Sequence, residues 1–293
     1  RRLSPCTAGP GHVFSPPTSL PMFYLTTAID YTNGSPHIGH AYEKVLADVI
    51  ARYRRLRGDE VFFLTGVDQH GQKVQQTAEK EGVTPEEFVA RTTRKFSDLW
   101  AKLGVNYDGW AETIDPRHKA CVGAILTELK EQGQLYKKTY SGFYSVRQEQ
   151  FLQERDRDEA GNFGAAWGEV VEIAEENWYF KLSDHTKWLK GFLETSADTV
   201  IPAFRKGTGL PDFERLWSDR PVHIIGKDIL IPAHGIYWLC MLHAIGFPEA
   251  RMPRLLVHGF WNSRGGDKIS KSTGNIVDPE ELADTFGVEA VRY

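Results

Sequence analysis

Two pairs of side chains in this 293-residue chain have types and spacings suited to one kind of chemistry. His37 and His40 stand three apart in Asn33-Gly34-Ser35-Pro36-His37-Ile38-Gly39-His40. At a helix start, that spacing turns both imidazoles to the same side of the first turn. Gly39 between them carries no Cβ, so a flat ring could pack directly on the backbone. About 230 residues later, Lys268 and Lys271 stand three apart in Gly265-Gly266-Asp267-Lys268-Ile269-Ser270-Lys271-Ser272-Thr273-Gly274-Asn275. Small hydroxyl residues and flanking glycines describe a mobile cationic loop, and lysine is a compact charge able to follow a moving phosphate. Each pair alone has a plainer reading. The histidines could be a helix cap with a metal-type partner, and a lone K-x-x-K could be a solvated surface loop. Together the pairs describe donors for a polyphosphate.

The elements that must position them are legible nearby. Phe23–Tyr31 is apolar and β-branched, like a buried strand. It breaks on Asn33-Gly34 and Pro36 and resumes with helical spacing through Ala41, Val45, Leu46, Val49 and Ile50. A strand running through a tight turn into a helix is the first unit of a nucleotide-binding α/β fold. The turn presents N–H groups, and the helix N-terminus attracts phosphate. Glu60–Gly71 reads as a second buried strand ending in a polar turn. Asp68 there could hold an ammonium group by a charge-assisted hydrogen bond or cap the next helix. His223–Ile229 is a further buried strand, ending in Gly226 and Asp228 at a sheet edge, where a carboxylate suits ribose hydroxyls. Leu255–Trp261 is a last strand leading to the lysine loop.

On these residues the chain resembles the class I aminoacyl-tRNA synthetases, whose HIGH and KMSKS signatures match His37-Ile38-Gly39-His40 and Lys268-Ile269-Ser270-Lys271-Ser272. The longer strings are similar to the methionyl family. These are Asn33 to Tyr42, Thr65-Gly66-Val67-Asp68-Gln69-His70-Gly71, and Gly226-Lys227-Asp228-Ile229 followed by His234 and Trp238. The resemblance implies an α/β fold: a Rossmann-type parallel-sheet nucleotide-binding domain split by a small connective insertion. It also implies roles. His37, His40, Lys268 and Lys271 would act on the phosphates, with Gly39, Glu43, Gly226, Asp228, Ser270 and Ser272 binding ATP. Ile29, Tyr31, Asp68, Ile229, His234 and Trp238 would bind methionine, Asp68 through the amino group. Asp30 departs from the apolar or aromatic residue usual beside Ile29 and Tyr31, and one additional residue lies between Asp228 and His234.

Along the chain, residues 1–21 contain Pro, Gly, Ser and Thr with no acidic residue. They read as a disordered tail, from upstream codons, a tag or a targeting peptide. Residues 22–135 are expected to be the first half of the catalytic domain and 136–180 the connective insertion, with 181–293 the second half carrying the KISKS loop. Thr84-Pro85-Glu86-Glu87 opens a helix as a capping box, and another helix is expected over about 116–133. Leu135–Val146 alternates like an edge hairpin. Relatives often place a zinc-binding C-x-x-C in this insertion. Ser145 and Gln148 stand there instead, so no structural zinc is expected. After Ile201-Pro202 the chain passes to Gly207-Thr208-Gly209, and the family's Y-V-W-x-D-A pocket segment is missing. It stops at Val291-Arg292-Tyr293, where relatives continue into an anticodon-binding domain.

Composition sets bounds on all this. Hydrophobic content of 41% and charged content of 25% are ordinary for a globular chain, and the net charge of −4 carries no overall basic nucleic-acid footprint. The run Arg52–Arg57 reads as the cationic end of the first helix. Cys6, Cys121 and Cys240 are widely spaced, which argues against a disulfide framework. No apolar run approaches a membrane span. A cytoplasmic location is expected, or an organellar one if the tail is a transit peptide.

The implied activity is methionine–tRNA ligation: methionine and ATP give methionyl-adenylate, which is transferred to tRNA(Met), with Mg2+ accompanying ATP. A carboxylate nucleophile is already ionised at neutral pH, so no general base is needed. The alternative is a truncated synthetase-like protein that retains ATP binding without catalysis, and the missing pocket segment argues for it.

Overall fold

The computed structural model describes residues 22–146, 150–196, 199–201, 220–259 and 277–293. The expected tail at 1–21, Gln148, the junction at 202–219 and the KISKS loop at 260–276 lie outside the described residues.

Among the described residues, seven strands form one sheet: β1 (Phe23–Thr27), β2 (Asp30–Tyr31), β3 (Val61–Asp68), β4 (Gly109–Glu112), β8 (Val200–Ile201), β9 (Val222–Gly226) and β10 (Arg254–His258). The order is β2-β3-β1-β9-β10-β8, with β4 also paired to β3, and all pairings are parallel. β1 is central, and both its faces are covered, which is why its sequence is a near-continuous apolar run. Phe23 and Leu25 join one core with Val45, Phe63, Phe96, Trp100 and Ile224. Met22 and Tyr24 point into a second core with Phe192, Leu239, Leu242 and Met252.

Helix α1 (Ile38–Leu56) follows β2 and packs on the first core. Arg54 and Arg55 occupy its last turn, where cations favour the helix dipole; Arg54 pairs with Asp59 and Arg55 with Asp108. The remaining early helices are α2 (Gln72–Glu81), α3 (Pro85–Lys102) and α4 (Pro116–Glu131). The capping box of α3 forms: the Glu87 N–H donates to Thr84 Oγ1 at 3.2 Å, and the Thr84 N–H donates to Glu87 Oε2 at 3.0 Å.

A separate three-stranded antiparallel sheet has the order β6-β5-β7: β5 (Leu135–Ser145), β6 (Gln150–Phe151) and β7 (Val170–Phe180). The register runs from Leu135 opposite Phe180 to Ser145 opposite Val170. At the end of β5 the buried Ser145 hydroxyl donates to the Trp167 carbonyl at 2.5 Å. The Arg157 guanidinium lies over the rings of Phe143 and Phe163, at 4.9 and 4.2 Å from their centroids. A hydroxyl donor and a cation lying over two adjacent aromatic rings thus pack this end of the sheet. The chain then continues into α5 (Thr186–Thr195).

The order of strands reverses between β1 and β9. Ligands of such sheets bind in the crevice beyond the carboxyl ends of the strands at that switch point. Here those ends are Ala28, Gly226 and His258, and the Ala28 N–H closes the β1–β9 ladder on the Ile224 carbonyl at 3.0 Å.

Candidate functional site: a nucleotide crevice at the switch point

His37 is the N-cap of α1, with extended backbone angles of φ −140° and ψ 174°. Its Nδ1 accepts the Gly39 N–H at 3.1 Å, and its own N–H donates to His40 Nδ1 at 3.1 Å. Two otherwise orphaned helix-terminal donors are satisfied by imidazoles. Because each Nδ1 accepts a backbone N–H, each neutral ring carries its proton on Nε2. The rings stack with centroids 3.8 Å apart and planes 25° apart, and the edge of His40 meets Phe96 at 5.4 Å. A Cβ at Gly39 would lie 3.0 Å from His37 Cε1, so the flat ring on the Gly39 backbone is that of His37. The capping reading of the pair is correct, and it also orients two Nε2 donors.

Behind this turn lies a row of alternating charges. Lys44 is fully buried, and its Nζ donates to Asp30 Oδ1 at 2.7 Å, Glu43 Oε1 at 2.9 Å and the Ala28 carbonyl at 2.9 Å. Burial favours the neutral amine, but the Asp30 and Glu43 carboxylates outweigh it and hold the Lys44 pKa above the ordinary lysine value. The other oxygen of Glu43 meets His258 Nε2 at 3.1 Å. The departure at Asp30 therefore has a partner: it supplies one of the two carboxylates that neutralise Lys44.

The row ends against β9 and β10. His258 pairs with Gly226 in the ladder, and a Cβ at Gly226 would lie 2.6 Å from Asp228 Oδ1 and 3.7 Å from His258 Cε1. Gly226 thus leaves room for the exposed Asp228 carboxylate at the crevice mouth. Both flanks of the KISKS segment meet α1. His258 contacts Glu43 on its second turn, and Val277 accepts the N–H of Ile38 at its first residue, at 3.1 Å.

A cavity of about 440 Å³ opens beside the crevice, lined in part by Thr26, Thr27, His223, Ile225, His234 and Trp238. His223 Nδ1 and Thr26 Oγ1 are 2.6 Å apart. Burial, and then the neighbouring His234, push the His223 pKa down to about 3, so this ring is neutral in the cavity wall. His234 and Trp238 sit on a wide helical segment (Leu230–Trp238) interrupted by extended Ile231. The His234 N–H reaches five residues back to the Ile229 carbonyl at 3.2 Å, and its ring Nδ1 meets the same oxygen at 2.8 Å. A five-back turn of this kind is a wide helical turn.

The sites expected for methionine fall into two groups. His234 and Trp238 line the cavity, and Ile229 packs beneath it with Ile225 and Leu255. Ile29, Tyr31 and Asp68 are not among its lining residues. Tyr31 packs against the cluster of Val74, Ala78 and Phe88, and a Cβ at Gly71 would lie 1.7 Å from its hydroxyl oxygen. Gly71, at φ +142°, is the N-cap residue of α2, so Asp68 does not cap that helix. Instead Asp68 Oδ1 accepts the His70 N–H at 3.2 Å. Lys268, Ser270, Lys271 and Ser272 lie outside the described residues.

Four residues here escaped the sequence reading: Thr26, Lys44, His223 and His258. Lys44 left a signal, since it falls on the apolar stripe of α1 three after Ala41, where a charge demands a buried partner. Thr26, His223 and His258 left none, because cross-strand neighbours are set by sheet order.

The chain matches the family model described as tRNA synthetases class I (M) over residues 23–160 and 199–293. The chain belongs to the class I tRNA synthetases (M). Among relatives of this synthetase family, the methionine–tRNA ligase of Rhizobium meliloti is 37% identical over 325 residues, covering 92% of this chain and 62% of that protein. The methionine–tRNA ligase of Deinococcus radiodurans is 36% identical over 333 residues, covering 95% of this chain and 48% of that protein. The chain thus spans about half to three fifths of the length of these curated relatives. The alignments are longer than the 293 residues of this chain, so each relative has residues with no counterpart here. Among solved structures, the Mycobacterium tuberculosis methionyl-tRNA synthetase in complex with methionyl-adenylate superimposes with a TM-score of 0.78 at 30% identity. That match covers 94% of this chain and 64% of that one.

Proposed function

We propose that this synthetase chain forms the amino-acid-activating part of a methionine–tRNA ligase, making methionyl-adenylate from methionine and ATP for transfer to tRNA(Met). The observation that carries the reading is the anchoring of both flanks of the KISKS segment on the helix whose first turn holds His37 and His40. In the reaction, a methionine carboxylate oxygen bonds to the α-phosphorus while the bond to the bridging oxygen breaks, and pyrophosphate leaves with that electron pair. His37 and His40 donate from Nε2 to phosphate oxygens, and Lys268 and Lys271, with Ser270 and Ser272, close over the charge that grows there. Gly39, Glu43, Gly226 and Asp228 hold the nucleoside. His234, Trp238 and Ile229 grip the methionine side chain, with Ile29, Tyr31 and Asp68 approaching from the β2 side and Asp68 taking the ammonium.

Among the described residues no group of three His, Cys, Asp or Glu side chains could hold a metal ion. In this reading Mg2+ would accompany ATP as a charge neutraliser on its phosphates. The division into 22–135, 136–180 and 181–293 is supported by the separate antiparallel sheet β6-β5-β7. Among the described residues no helix is long and apolar enough to cross a membrane.

Methionine-dependent exchange of pyrophosphate into ATP tests the proposal: exchange is expected, with no exchange for leucine or valine. The residues that relatives carry without counterpart here favour a second reading, ATP binding without catalysis. Saturable ATP binding with no exchange would select it.

A further inference from the structure

Each nitrogen of the His258 ring faces an acceptor. Nε2 lies 3.1 Å from Glu43 Oε2, and Nδ1 lies 2.9 Å from the Gly259 carbonyl oxygen. A carbonyl oxygen only accepts, and so does an ionised carboxylate. A neutral imidazole has one N–H and can satisfy one of them; only the imidazolium satisfies both. The surroundings agree. The ring is 12% exposed and the Glu43 side chain 7%. From α1 the groups facing it are the Glu43 carboxylate, with Lys44 behind it, and the Tyr42 ring with its centroid at 5.3 Å; from β2, Asp30 stands behind Lys44. From the turn after β9, the Asp228 carboxylate adds its field.

We propose that His258 is a positioning residue for the nucleotide: as an imidazolium it holds the buried Glu43 carboxylate beside the carboxyl end of β10, between itself and Lys44. The role rests on reading the crevice as the ATP site. Glu43 without His258 would have one oxygen fixed by Lys44 and the other free to turn, at the place where a ribose hydroxyl needs a stationary acceptor. Burial by itself opposes the charged ring, but the Glu43 hydrogen bond, the Gly259 carbonyl and the Glu43 and Asp228 charges overcome it. The His258 pKa is accordingly raised. The sign follows: the cation is present at lower pH and is lost as pH rises through the folded-state value.

Two measurements on the full chain test this. Nitrogen-15 NMR of the imidazole reads whether both ring nitrogens of His258 carry protons. The expected titration midpoint lies above that of the urea-unfolded chain and returns to it in Glu43→Gln. ATP affinity is then measured by calorimetry from pH 6 to 9. It is expected to fall as pH rises through that midpoint, and His258→Gln should bind about tenfold more weakly at pH 6 with a flat profile. Methionine affinity should stay near wild type, while the melting temperature at pH 6 should fall modestly because the buried Glu43 loses a cationic partner. A singly protonated ring at pH 6 overturns the proposal, as does a His258→Gln profile that still follows the wild-type midpoint. If wild type binds no ATP, the nucleotide role falls with the reading of the crevice. If it binds ATP but shows no pyrophosphate exchange, only the catalytic reading fails and the profile still decides His258.

Discussion

Replacing Lys44 by Met removes a cation that both Asp30 and Glu43 contact, at 2.7 and 2.9 Å, while preserving most of the side-chain volume. Two carboxylates are then left in a site where Lys44 itself is 0% exposed. Stranding buried charge by removing its partner costs about 3–5 kcal/mol. For a chain of this size, that should lower the melting temperature by on the order of 10 °C. The deficit should also depend on pH. As pH falls the stranded carboxylates take up protons and lose the charge that makes them costly, so the gap between variant and wild type narrows from pH 8 toward pH 5. A partial rescue is expected on adding Asp30→Asn to Lys44→Met, because one of the two facing charges is then gone. Calorimetric unfolding of these three proteins and of the Asp30→Asn single variant across that pH range is the assay. A Lys44→Met deficit under 1 kcal/mol, or one that stays constant with pH, would refute the reasoning that this row is a buried, mutually dependent charge network.

Three further outcomes are expected. His40→Asn keeps an acceptor for the His37 N–H but loses the Nε2 donor, so kcat for pyrophosphate exchange should fall about 10²–10³-fold with methionine KM nearly unchanged. Equal losses in binding and turnover would point to a collapsed helix cap instead. Gly71→Ala places a methyl 1.7 Å from the Tyr31 hydroxyl oxygen at φ +142°, so the thermal midpoint should drop and the Tyr31 environment change by near-UV circular dichroism. His223, held neutral with a pKa of about 3, takes up a proton on unfolding below the ordinary histidine value. Stability should therefore decline between pH 6.5 and 3 by up to about 1.4 kcal/mol per pH unit, and His223→Gln should flatten that slope in urea titrations.

Local chemistry was legible before any coordinates. The capping box at Thr84 and the two-sided burial of β1 depend on neighbours within a few residues, so spacing alone reveals them. The helix start at His37 is equally local, since the cap bonds run between His37, Gly39 and His40. Glu43 was singled out from the strings around it, without its partners being visible.

What the sequence determined by itself was thus the type of each element and the donors at its ends. Tertiary structure alone decided which distant residues meet: β9 beside β1, His223 against Thr26, and His258 against Glu43 across 215 positions. It also separated Ile29, Tyr31 and Asp68 from the cavity lined by His234 and Trp238. The physical reason is the range of the interactions. Backbone propensity and capping act within a turn, whereas the pairing of parallel strands is settled by long crossovers and by shared burial, which a linear chain does not display.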